Sequence, residues 1–170
     1  MPHKYYNAIN IFYKSQYFAI QKAWERFHSW PKAWQILKKE VNVDPDKEWE
    51  KLERHKIKLK MPTDKDFPKI IKEIPLSPFG LYVKGNLELT SQAIAVVGTR
   101  KATQEGQKIS HQFSRDLAEQ NIIIVSGLAL GIDQAAHKGA LEAKGKTIAV
   151  LANGLDITYP HQHENLANKI

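Results

Sequence analysis

Three short runs of this chain end in residue types suited to holding an anion. Ile94-Ala-Val-Val-Gly-Thr-Arg100 finishes on glycine, threonine and arginine, and Ile122-Ile-Ile-Val-Ser-Gly127 finishes on a hydroxyl and a glycine. Thr147-Ile-Ala-Val-Leu-Ala152 runs on into Asn-Gly-Leu-Asp156. A glycine at a strand-to-helix junction lets backbone N–H groups approach a ligand at the positive end of a helix, which favours phosphate. An arginine beside it can grip a phosphate through two parallel hydrogen bonds. Gly98, Thr99, Arg100, Ser126, Gly127 and Gly154 are therefore the candidate phosphate contacts, with Lys101 either adding charge or simply solvated. The plainer readings are a surface arginine at a strand end, a serine capping the next helix, and an ordinary glycine turn at Gly154.

Asp133 and His137 stand four apart on a predicted helix and so share one face. They could be an acid–base pair or half of a metal site, but no third ligand or nucleophile lies at a recognisable spacing, which favours a structural hydrogen bond. His161 and His163 lie beside a proline in a polar stretch and read as exposed. The chain has no serine-centred nucleophile elbow, no Walker lysine motif and no metal-ligand cluster, and Gly98-Thr-Arg100 is not the dinucleotide fingerprint. With no cysteine, disulfides and thiolate metal sites are excluded. No catalytic residue, metal or cofactor is expected.

The elements that must position these residues are strands and helices in alternation. The apolar runs, rich in Val and Ile, fit strands buried on both faces. Helices are expected from about Glu105 to Gln120 and from the Leu-Ala-Leu-Gly-Ile-Asp133 turn through Ala143. Three strands and two helices at short spacing give an α/β domain over 93–170, with a Rossmann-like, doubly wound parallel sheet that is incomplete. Ligands of such sheets gather at the carboxyl edge, where the candidate residues fall.

The preceding part differs in character. Residues 1–60 read as a helical module, with a helical pattern from Tyr5 to about Glu40 and Tyr17, Ile20, Trp24 and Phe27 on one helix face. A further helix from Lys32 to Lys39 starts after Pro31. The aromatic stripe of Tyr17, Trp24, Phe27 and Trp34 reads as a small core rather than a base-stacking platform. A charged helix over Asp46–His55 and a strand over Lys56–Lys60 follow. Residues 61–92 form a connector punctuated by Pro62, Pro68, Pro75 and Pro78, with an edge strand at Leu81-Tyr82-Val83. Of the net charge of +7, residues 1–60 hold 13 Lys/Arg against 7 Asp/Glu, whereas residues 93–170 hold 8 against 7. That asymmetry suits a polyanionic partner, or is a solvated lysine-rich surface. No run of about 18 apolar residues is present to span a membrane. The N-terminus lacks the apolar block of a signal peptide, so a cytoplasmic protein is expected.

The segments AVVGTR (Ala95–Arg100), IVSGLALGIDQAAHKGAL (Ile124–Leu141) and GKTIAVLANGLDITYP (Gly145–Pro160) resemble the core of the DprA/Smf family, the DNA-processing proteins of natural transformation. DFPKIIKEIPLSPFGLYVKG (Asp66–Gly85) is similar to that family's approach segment. The first sixty residues resemble the helix-hairpin-helix or SAM-like modules that precede such cores, without the hairpin glycines, since the first glycine is Gly80. The resemblance implies a non-enzymatic protein that binds single-stranded DNA, protects it and mediates RecA loading in recombination, with a homodimer in the full-length protein. It also implies that Gly154 shapes the same pocket edge as the first two strand ends, and that Asp133 and His137 hold a turn. Family members extend well past the Tyr159-Pro160 element, so a C-terminally truncated chain or fragment is expected. The alternative is a nucleotide-binding enzyme resembling the LOG and SLOG proteins, whose Pro-Gly-Gly-x-Gly-Thr motif is missing.

Overall fold

The computed structural model describes residues 1–87 and 92–170. The chain divides into two compact units, Met1–Lys84 and Gly85–Ile170.

The first unit holds α1 (Pro2–Phe12), α2 (Tyr17–Phe27), α3 (Trp30–Leu37), α4 (Pro45–Arg54), β1 (Ile57–Lys60), the short α5 (Lys69–Lys72) and β2 (Leu81–Lys84). The continuous helical pattern is broken between α1 and α2, where Lys14 and Ser15 both adopt left-handed backbone. Asp44 caps α4 by accepting from the Asp46 and Lys47 N–H groups, and Pro45 occupies the first helical position, where a missing N–H costs nothing. The core gathers Tyr6, Ile9, Ile20, Trp30, Ala33, Trp34, Leu59 and Met61, with Trp24 and Phe27 packed on it. Trp24 and Trp30 lie with ring centroids 4.7 Å apart, and Tyr6 meets Trp30 edge-on at 5.0 Å. The aromatic stripe is thus a core. β1 and β2 pair antiparallel, with Ile57 opposite Lys84 and Lys60 opposite Leu81. The Tyr82 hydroxyl donates to Asn7 Oδ1 at 2.8 Å and accepts from Asn10 Nδ2 at 3.1 Å, fastening β2 to α1. Burial pushes the Tyr82 phenol up to about 12, which keeps it a donor.

The second unit is α/β. β3 (Ala93–Ala95), α6 (Gln104–Glu119), β4 (Ile123–Ser126), α7 (Ile132–Glu142) and β5 (Thr147–Ala149) form a parallel sheet in the order β3-β4-β5, followed by a 3₁₀ turn (His161–His163) and α8 (Glu164–Ala167). The register sets Ile94 opposite Ile124 and Val125 opposite Ile148. α6 and α7 pack closely against each other, and both touch β4. The two crossovers therefore lie on the same side of the sheet, as right-handed connections between neighbouring parallel strands require. The central strand carries the core: Ile123 and Ile124 are buried, and Ile124 clusters with Ala118, Ala136 and Ala140. The first strand departs from the expectation of burial on both faces. Ala93, Ile94 and Ala95 are exposed, and Val97 beyond them is 69% exposed. Among the described residues β3 pairs with β4 alone, so its apolar sequence is left half uncovered.

Candidate nucleic-acid interface

Parallel topology brings the ends of β3, β4 and β5 to one edge, and a single carboxylate organises two of them. Asp133, in the first turn of α7, accepts from the Gly98 N–H through Oδ1 at 3.3 Å and from the Gly127 N–H through Oδ2 at 3.0 Å. It is 6% exposed. A buried carboxylate is tolerable when backbone donors satisfy its oxygens, and these two do so. The N–H groups that the sequence offered to a phosphate are thus held by the protein's own acid. The structural reading of Asp133 is the one the geometry shows.

Ser126 is also committed inward. Its hydroxyl donates to the Val96 carbonyl at 2.7 Å and the residue is 2% exposed. It therefore stitches β4 to β3 and does not cap α7, whose N-cap is Gly131. The β3–α6 loop faces outward: Thr99, Arg100 and Lys101 are exposed, and the Thr99 hydroxyl takes the Lys101 N–H at 3.1 Å. Thr103 starts α6 by accepting from the Gly106 N–H at 3.0 Å. Neither Arg100 nor Lys101 forms an ion pair among the described residues. Gly154 lies four residues past the exposed Val150, in a turn that Asn153 closes by donating to the Gly154 and Ile157 carbonyls. No hydrogen bond among the described residues joins Gly154 to Gly98 or Gly127. The edge is partly apolar, with Val97, Leu130 and Val150 each at least 41% exposed beside the charged loop.

One contributor was not singled out from sequence and a second was read otherwise. Gly131 has φ +81°, and a Cβ there would collide with the Thr99 carbonyl oxygen, so only glycine lets α7 begin against the β3–α6 loop. The Ile132 N–H then donates to the Thr99 carbonyl at 3.3 Å. The available signal was the Gly-Ile-Asp run after the second strand. The second contributor corrects an expectation: His163 is buried, 2% exposed, whereas His161 is exposed as read. His163 Nδ1 donates to the Leu128 carbonyl at 2.8 Å and anchors the C-terminal turn to the β4–α7 loop. His137 is fully buried. The Thr147 hydroxyl donates to the Ile124 carbonyl at 2.8 Å and so accepts from His137 Nδ1 at 2.7 Å, fixing the Nδ1–H tautomer. Burial pushes the His137 imidazole down to about 4; Asp133 opposes that shift and His163 adds to it. The Nε2 atoms of both rings have no partner among the described residues. No group of three or more potential metal ligands occurs among the described residues, and no described helix is long and apolar enough to cross a membrane.

The family described as DNA recombination-mediator protein A matches over residues 58–170. The chain is 36% identical over 140 residues to Protein Smf of Synechocystis sp., covering 79% of this chain and 35% of that protein. It is 44% identical over 108 residues to the DNA processing protein DprA of Streptococcus pneumoniae, covering 63% and 38%. Among solved structures, DprA of S. pneumoniae superposes with a TM-score of 0.65 at 36% identity, covering 74% of this chain and 44% of that one. DNA processing protein A of Helicobacter pylori, described for its single-stranded DNA binding mode, gives 0.57 at 30% identity, covering 66% and 51%. The chain thus spans little more than a third of the length of these sequence relatives. With the family model matching two thirds of the chain and the parallel sheet superposing on solved relatives, the chain belongs to the DNA recombination-mediator protein A family, known as DprA or Smf.

Proposed function

We propose that this chain binds single-stranded DNA at the carboxyl edge of its parallel sheet, as a non-enzymatic cytoplasmic protein of DNA recombination in natural transformation. One observation carries the reading: Arg100 and Lys101 are exposed, with no acidic partner among the described residues, at an edge that also exposes Val97, Leu130 and Val150. Cations for phosphates beside apolar side chains for base faces make a surface that tolerates any sequence and weakens with salt. The binding mode of the Helicobacter relative supports the choice of ligand. Because Asp133 occupies the Gly98 and Gly127 N–H groups, the phosphates fall to the side chains of Arg100 and Lys101 rather than to those amides. Thr99, Ser126, Gly127, Gly98 and Gly154 then shape the edge. Handing the strand to RecA, and pairing into a homodimer, rest on the family resemblance alone.

The test is binding of a labelled oligothymidine at several salt concentrations, with a mononucleotide as competitor. Arg100→Ala should weaken binding severalfold and lower the salt slope by about one unit, with the melting temperature unchanged. An unaltered slope would remove Arg100 from the interface. Efficient displacement by the mononucleotide would instead favour a nucleotide-binding enzyme.

A further inference from the structure

The net charge of the molecule sits in one unit. Residues 1–84 contain seventeen Lys/Arg against ten Asp/Glu, whereas residues 85–170 contain eight of each. Within the first unit the excess is concentrated again. α4 is balanced by its own acids, with Lys47, Lys51 and Arg54 against Asp46, Glu48, Glu50 and Glu53, and around it Lys51 pairs with Glu48 at 2.6 Å, Lys4 with Asp46 at 2.6 Å and Lys60 with Asp66 at 2.7 Å. Between Lys14 and Lys39 the chain instead carries Lys14, Lys22, Arg26, Lys32, Lys38 and Lys39 against the single acid Glu25. All six cations are exposed, and none forms an ion pair among the described residues.

The two helices that carry them are built with an inside and an outside. Ile20 and Ala23 of α2, and Trp30, Ala33 and Trp34 of α3, face the core. On the outside of α2, Phe18, Lys22 and Arg26 follow one another at a spacing of four, which places them along one ridge. Phe18 is 65% exposed, an aromatic ring left in water beside cations. On α3, Lys32 and Ile36 stand four apart and both are exposed, with Lys38 and Lys39 just beyond its end. His28 in left-handed backbone and Ser29 join the helices, and α2 packs on α3.

We infer that the outer face of α2 and α3 is a second binding surface for single-stranded DNA, made of residues other than those of the sheet edge. The cations match a phosphate backbone, and the exposed Phe18 ring matches an unstacked base, which a duplex does not offer. The proposal shares its ligand with the function proposed above but not its residues.

Four cations, Lys22, Arg26, Lys32 and Lys39, would be changed together to glutamine in the full chain, and binding of labelled oligothymidine followed across a salt series. The slope of log affinity against log salt should fall by about two to three units, at roughly 0.7 for each phosphate no longer neutralised on a single strand. Affinity at moderate salt should fall about tenfold or more. Phe18→Ala should weaken binding with the slope unchanged. As the control, Lys47→Gln, Lys51→Gln and Arg54→Gln on α4 should leave the slope within about half a unit. A quadruple variant that keeps the wild-type slope while Arg100→Ala loses it overturns this face and leaves the sheet-edge function standing. A wild-type chain that does not bind oligothymidine overturns both. A duplex that competes as well as the single strand overturns the choice of ligand. Circular-dichroism melting of each variant separates weakened binding from a disrupted fold.

Discussion

Asp133 joins two loops that are 29 residues apart in sequence, and removing its carboxylate has a calculable cost. Asp133→Ala would leave the Gly98 and Gly127 N–H groups without their acceptor, at about 1–3 kcal/mol for a buried group and less for Gly98, which is exposed to water. A loss of about 1–3 kcal/mol in urea denaturation is expected, and Asp133→Asn, which keeps one acceptor oxygen, should lose less. Equal losses for the two variants would mean that the charge, not the pair of hydrogen bonds, is what counts. His137 makes a prediction in pH. Its imidazole is pushed from an ordinary 6.5 to about 4, chiefly by burial. Below 6.5 the unfolded chain takes up a proton that the folded chain refuses, so stability is intact above 6.5 and falls as pH drops toward 4. The loss reaches about 3 kcal/mol over that interval. His137→Gln should flatten the pH dependence between 6.5 and about 4.5 even if it lowers stability at neutral pH; an unchanged slope would assign the proton elsewhere. At this scale the sequence was legible where a residue acts on its neighbours in the motif. The spacing of Asp133 and the absence of a third ligand already argued for a structural role. His163 was misjudged because Pro160, His161, Gln162 and Glu164 around it are polar or turn-forming. Its burial comes from Leu128, 35 residues earlier, and no local pattern encodes that hydrogen bond.

The crossover helices of the second unit meet through Gly139 of α7. A Cβ there would overlap the His111 carbonyl oxygen of α6 and lie 3.1 Å from the Arg115 backbone nitrogen. Backbone cannot swing aside as a side chain can, so Gly139→Ala must push the helices apart despite alanine's better helix propensity. Destabilisation of about 2–3 kcal/mol is expected, a fall of roughly 10–20 °C in the melting temperature of a unit this size. A neutral or stabilising result would show that the helices slide at little cost. Arg115 pairs with Glu142 at 3.1 Å across the same interface, and His111 Nε2 lies 3.1 Å from the same carboxylate; both are partly exposed and so worth little alone. The periodicities of α2, α6, α7 and the β4 run were visible in the chain, because each element buries a face of its own residues. The break between α1 and α2 was not, since Lys14 and Ser15 carry no glycine or proline signal and the apolar spacing runs on across them. The exposure of β3 was equally hidden: composition says that a strand is apolar, and only the sheet order says whether anything covers it.

Across the whole molecule, charge and aromaticity are distributed alike, and both follow the division into units. The concentration of net charge in the first unit was legible by counting, as was the balance of acids and bases in α4; that the cations of α2 and α3 face outward required the structure. The ring cluster that forms the first core has a practical consequence. All four tryptophans, Trp24, Trp30, Trp34 and Trp49, belong to residues 1–84, and Tyr159 is the one tyrosine after Tyr82. Intrinsic emission excited at the indole band is therefore an optical label on one unit only, with Trp24 on α2 and Trp30 and Trp34 on α3 behind the basic face. Oligothymidine seated on that face would quench or shift the emission. The emission would thus report, without any added label, whether DNA has reached the face proposed on α2 and α3.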